Sequence, residues 1–105
     1  MPNLIALVPT WHNFDVEYRV HSTRRMFERG ITDKDIENLL TNGKVIEQYP
    51  DDYPLPSVLL NGYTLTDKPL HAVIAINEPE SKLIVVTTYK PSINKWIDDF
   101  SRRKI

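Results

Sequence analysis

The 105-residue chain has no cysteine and only three glycines, Gly30, Gly43 and Gly62. The first absence excludes disulfides and any zinc or iron–sulfur site built on thiolates. Nothing in the composition calls for an oxidising compartment, so the expected location is the cytoplasm. The scarcity of glycine excludes a Gly-rich phosphate loop and a dinucleotide-binding turn. Long apolar runs are also missing. Residues 1–9 lack a basic leader, and their apolar stretch is too short for a signal peptide or a membrane span. Internal repeats, low-complexity tracts and domain linkers are absent as well, which leaves one domain over 1–105, with a core at 18–105 and a loose arm or short strand at 1–17.

What is present is ordinary in amount and uneven in place. Hydrophobic residues make up 41% and charged residues 26%, enough for a buried core without covalent staples. The net charge of −1 argues against indiscriminate nucleic-acid binding. Residues 18–29 and 90–104 nevertheless hold nine of the thirteen Lys and Arg and carry +6, whereas residues 30–89 carry −5. If the fold joins the two ends, it makes one basic face on a neutral protein.

The first basic segment is the most informative. In a helix, His21, Arg25 and Arg29 recur every four residues and form one shallow polar stripe. Guanidinium groups present a planar fork to phosphate oxygens, and histidine moves a proton near neutral pH. The plainer reading is a solvated face with an Arg24–Glu28 pair.

Turn and cap residues divide the chain. A first helix is expected from near Ser22 to Gly30, with Thr23, Met26 and Phe27 facing the core. Thr32 caps a second helix with Asp33 and Asp35 in its first turn, Ile36, Leu39 and Leu40 inward, and Gly43 at its end. Strands are expected at Lys44–Tyr49, Ser57–Tyr63, 70–77 and 82–90, the last two apolar on both faces and therefore central. A loop at 78–81 sets partner numbers summing to about 159, which places His71 opposite a position near 88, with Thr87 or Tyr89 beside it. After Pro91, Ser92 is expected to cap a short helix burying Ile93, Trp96, Ile97 and Phe100. The expected fold is α+β: an N-terminal helical hairpin, a four-stranded, mainly antiparallel sheet and a short C-terminal helix.

Four ordered motifs carry a resemblance over about 18–103. They are His21-(x3)-Arg25-Met26-(x2)-Arg29-Gly30-Ile31, Asn42-Gly43-Lys44-Val45-Ile46-Glu47, Pro69-Leu70-His71-Ala72-Val73, and Thr88-Tyr89-Lys90-Pro91 with Trp96. Together the set resembles the domain of unknown function 4258 family of small bacterial proteins. At the level of fold the order is similar to the RelE/MqsR-like toxins, metal-independent ribonucleases. The resemblance implies a toxin of a toxin–antitoxin pair that acts on RNA and is held by a zinc-finger antitoxin of the MqsA type. It implies a monomer or weak homodimer with no cofactor and no membrane. The alternative is a non-catalytic RNA- or protein-binding module on the same fold.

Metal-free RNA cleavage needs a base for the 2′-hydroxyl, cations for the phosphorane and an acid for the leaving oxygen. The candidate catalytic residues are His21, Arg25, Arg29 and Tyr89; those for substrate binding are Arg24, His71, Thr88 and Lys90. Three of them have a structural counterpart. His21 can buttress a helix start, His71 can be a hydrogen-bonded core histidine, and Tyr89 can be packing with a satisfied hydroxyl. Trp96 reads as a core anchor, and Arg102, Arg103 and Lys104 as a solvated tail. His21 and His71 lack metal-ligand spacing, so no metal site is expected.

Overall fold

The computed structural model describes residues 11–104. The elements are β1 (Asp15–Tyr18), α1 (Val20–Arg29), α2 (Asp33–Asn42), β2 (Lys44–Tyr49), β3 (Ser57–Tyr63), β4 (Pro69–Asn77), β5 (Lys82–Tyr89), β6 (Trp96–Ile97) and β7 (Arg102–Arg103).

Local chemistry sets the helix ends. Gly30 adopts the left-handed conformation (φ 67°), which lets Ile31 donate back to the Met26 carbonyl at 2.9 Å and closes α1. Two residues later the Thr32 hydroxyl accepts from the Asp35 backbone N–H at 3.1 Å. The Asp35 carboxylate in turn accepts from the Thr32 N–H at 2.9 Å, completing a reciprocal cap for α2. Gly43 follows α2 in an extended conformation (φ −77°, ψ 175°) where a side chain would not fit: a Cβ there would lie 2.5 Å from the Leu39 carbonyl oxygen and 3.1 Å from that of Asn61.

The main sheet has the order β1-β5-β4-β3-β2. The pairs β2–β3, β3–β4 and β4–β5 are antiparallel, and β1 runs parallel to β5 from Asp15↔Lys82 to Tyr18↔Val85. Lys82 and Glu17 tie that seam with an ion pair of 2.9 Å. The helices cover one face of the sheet, α1 against β5 and α2 against β3. Beneath them Met26, Ile36 and Leu39 pack on Val58, Leu60, Leu70, Ala72, Ile74, Ile76, Leu83 and Val85.

Several expectations need correction. The sheet is five-stranded and mixed, and a strand precedes the helices, so the helical hairpin followed by a four-stranded antiparallel sheet does not hold. Each helix docks on its own strand, α1 on β5 and α2 on β3, and lays its apolar stripe on the sheet. Residues 1–10 of the arm expected at 1–17 lie outside the described residues; from Trp11 onward the chain buries that tryptophan and enters β1. The C-terminal helix is also replaced. β6 and β7 form a two-stranded hairpin whose turn puts Asp98, Asp99 and Phe100 at φ 53°, 59° and 64°. Three successive left-handed residues cannot belong to a right-handed helix. Finally, Met26 is buried but Phe27 is 87% exposed, because 100° per residue carries it off the inward face of α1.

The β4–β5 register follows the expected sum of 159 from Asn77↔Lys82 to Ile74↔Val85 and then shifts by one. Val86 is the extra residue, and beyond it Val73 pairs with Thr87 and His71 with Tyr89. Without this bulge Thr88 would stand beside His71, and Tyr89 would point into the helix-side core.

Candidate active site

His71 alternates with the core residues Leu70 and Ala72, so it projects from the face opposite the helices. Position 71 is nevertheless fully buried, because the β6–β7 hairpin folds over it. The Trp96 ring meets the imidazole edge-on with centroids 4.5 Å apart, and Phe100 places its carbonyl oxygen 2.8 Å from Nε2. A carbonyl only accepts, so Nε2 carries a proton, and in the neutral ring Nδ1 is left with a lone pair. The Tyr89 hydroxyl, 3.1 Å from Nδ1, therefore donates to it. Burial lowers the His71 pKa, against the opposing pull of the Phe100 hydrogen bond and the nearby Glu47, and keeps the ring neutral. Burial likewise raises the Tyr89 pKa, so its phenol keeps the proton it donates.

A second pair braces the same hairpin. The Arg103 guanidinium forks onto the Glu47 carboxylate at 2.7 and 3.1 Å and lies 4.7 Å above the Trp96 ring. Tyr49 donates its hydroxyl to the same carboxylate. The Arg103 hydrogen bond is the main cause that holds Glu47 below the ordinary carboxylate range, with Tyr49 adding to it against burial. Asn61 donates to the Asp99 carbonyl at 3.0 Å, and the Tyr63 hydroxyl donates to the Asp99 carboxylate. These contacts offset the cost of the left-handed turn. Between hairpin and sheet opens a cavity of about 350 Å³ lined by Tyr89, Lys90, Lys95, Trp96 and Arg103 among others. A phenol with a neutral imidazole behind it thus faces a space edged by three cationic side chains.

The structure distributes the expected site residues unequally. His71, Tyr89 and Lys90 meet at this cavity or directly behind it. Thr88 points to the helix side, where its hydroxyl is buried without a hydrogen-bond partner. Arg29 donates to the Thr88 carbonyl, past the point where β1 stops pairing with β5. His21, Arg24 and Arg25 are exposed on α1. Thr23 and Phe27 line a cavity with Tyr18, Thr32 and Asp33, so the flank with His21 and Arg25 turns away from α2. The two basic segments lie on different layers and approach each other at the end of β5, through Arg29 and Lys90.

Glu47, Tyr49, Lys95 and Arg103 were not among the sequence candidates. Glu47 and Tyr49 carried the signal of alternation on one strand face. Arg103 had none, since its partner is 56 positions away. Among the described residues no three His, Cys, Asp or Glu side chains group closely enough to hold a metal, and no helix is long and apolar enough to cross a membrane.

The family model described as Domain of unknown function (DUF4258) matches residues 18–90, and the chain belongs to that family. The match spans both helices and β2 to β5 and ends before the hairpin. No curated protein and no solved structure matches the chain.

Proposed function

We propose that this protein is a metal-independent ribonuclease acting in the cytoplasm as the toxin of a toxin–antitoxin pair, with its chemistry at the cavity under the hairpin. The observation that carries the reading is the Tyr89–His71 hydrogen bond opening on a space edged by Lys90, Lys95 and Arg103. In this scheme the Tyr89 oxygen takes the proton of a ribose 2′-hydroxyl as its own proton passes to Nδ1 of His71. The freed 2′-oxygen attacks phosphorus, the lysines neutralise the crowded phosphorane, and a lysine ammonium protonates the departing 5′-oxygen. The His71 ring, neutral at rest, returns its extra proton through Tyr89 to that lysine. The products are a 2′,3′-cyclic phosphate and a 5′-hydroxyl. Tyr89 is the catalytic residue here; His71, which substrate cannot reach, is its proton acceptor and positioning residue. His21, Arg24 and Arg25 receive phosphates of the incoming strand, while Arg29 is committed to the β5 backbone. The toxin role and its antitoxin partner are what the resemblance in the sequence implies; the matched family model itself describes a domain of unknown function.

A second reading is the RNA- or protein-binding module without cleavage. It is favoured by the engagement of both His71 nitrogens, which makes the imidazole a latch for the hairpin. One experiment separates the two. Purified protein is incubated with single-stranded RNA in excess chelator, and the ends of any products are identified. Cyclic phosphate ends, with growth arrest on expression that a co-expressed neighbouring gene product relieves, support the toxin. Binding without cleavage supports the module and overturns the enzyme.

A further inference from the structure

The outer face of the sheet holds a second cavity, of about 160 Å³, beyond the edge of the hairpin. Its floor is apolar, formed by Val73 and Ala75 of β4 and Val86 at the bulge. Tyr53, from the loop between β2 and β3, lines it while remaining 95% exposed. An aromatic ring so exposed can lay a face on a flat ligand. Arg19, just before α1, lines the same cavity. The polar wall is Asp52, whose carboxylate accepts the Ser57 hydroxyl at 2.5 Å. Ser57 is itself buried at the start of β3, so it pins the carboxylate in place and leaves lone pairs for a ligand.

We infer that this cavity is a nucleobase subsite selective for guanine, an inference that rests on the RNA reading above. A carboxylate can only accept. Guanine alone presents two adjacent N–H donors, N1 and N2, on its Watson–Crick edge, which match the two carboxylate oxygens. Adenine, cytosine and uracil each place an acceptor beside their donor, and that acceptor would face the carboxylate lone pairs. The apolar floor and Tyr53 take the two faces of the ring, and Arg19 takes the attached phosphate. The position agrees with a shared strand of RNA. Val73 and Ala75 lie two and four residues along β4 from His71, about 7 and 13 Å at the rise of a strand. One or two extended nucleotides span that distance, so the scissile phosphate at Tyr89 falls next to the bound guanosine or one nucleotide from it.

The test is an NMR titration of the full isotope-labelled chain with the four 5′-mononucleotides, beside RNA cleavage mapping. Guanosine monophosphate is expected to shift the amides of Ser57, Val73, Ala75 and Val86 and to bind at least about tenfold more tightly than the others. Asp52→Asn, an isosteric change on an exposed loop, should remove that preference. Tyr53→Ala should weaken all four nucleotides alike and preserve it. Equal binding of all four nucleotides, or shifts confined elsewhere, would overturn the inference, and RNA cut without base bias would leave the nuclease standing alone. Guanine-selective shifts at these residues with no RNA cleavage would uphold the subsite and remove the nuclease.

Discussion

Tyr89→Phe is the sharpest single test of the site, because it deletes one oxygen and leaves the packing. The ring stays edge-on to His71, with centroids at 5.2 Å, while Nδ1 loses its donor. The Phe ring edge still stands between the buried Nδ1 and the cavity, so a cavity water recovers at most part of the lost hydrogen bond. An acceptor stranded in this way costs about 1–2 kcal/mol. In a domain of this size that lowers Tm by roughly 5–15 °C. Even from a starting stability of about 5 kcal/mol, less than about one per cent of the variant would be unfolded at 25 °C. Unfolding therefore cannot reduce RNA cleavage measurably, whereas loss of a proton-transfer group reduces it about 10²-fold or more. The assays are urea unfolding and single-turnover cleavage on the same preparation. Cleavage within about twofold of wild type, together with the expected loss of stability, would show that Tyr89 only packs and latches. An unchanged unfolding midpoint would refute the hydrogen-bond reasoning itself.

Three further outcomes follow. Glu47 is held below its ordinary value of 4.5, so its pair with Arg103 stabilises the fold above that pH and is lost as pH falls through the folded-state value. Glu47→Gln should cost under about 1 kcal/mol at neutral pH, given the exposure of Arg103, and the gap in Tm from wild type should close in acid; a gap that persists undiminished refutes the pairing. Gly43→Ala forces a Cβ to 2.5 Å from the Leu39 carbonyl oxygen and 2.8 Å from Leu39 Cδ1, and should cost about 1–3 kcal/mol by urea unfolding. Arg25→Ala and His21→Ala should leave Tm within about 2 °C, since both side chains are exposed, while lowering RNA cleavage at least about tenfold; Arg25→Lys restores part of it. Full activity in both alanine variants would make the α1 stripe a solvated face.

What could be read from the sequence was local. Thr32 with Asp35, Gly30 and Gly43 carry their own geometry, so the helix ends followed from a few residues each. The loop at 78–81 likewise fixed the β4–β5 pairing as far as Val85, and His71 does stand opposite Tyr89. The errors lie where distant parts of the chain decide. β1 has four residues, and its partner strand lies 67 positions on, so no pattern of its own announces it. Ile93, Trp96, Ile97 and Phe100 have helical spacing, but Trp96 gains more by seating on His71 than a helix of that length gains alone. Ile93 accordingly stays 70% exposed. The site divides in the same way. Tyr89 and Lys90 stand together in the sequence, whereas Arg103 joins them only once the hairpin has folded back.

The Phe100 carbonyl gives the hydrogen-bond chain a direction. With that acceptor in place, protons point inward from Tyr89 to His71 and from His71 to the main chain, and the phenol shows lone pairs to the cavity. Remove the carbonyl and the imidazole is free to carry its proton on Nδ1. The arrow then reverses, and Tyr89 offers a proton outward. The residue that sets this polarity lies beyond residue 90, where the family match ends. The pair His71 and Tyr89 is therefore fixed by the sheet, whereas the end of it that meets the cavity is decided by how the C-terminal segment closes over the sheet.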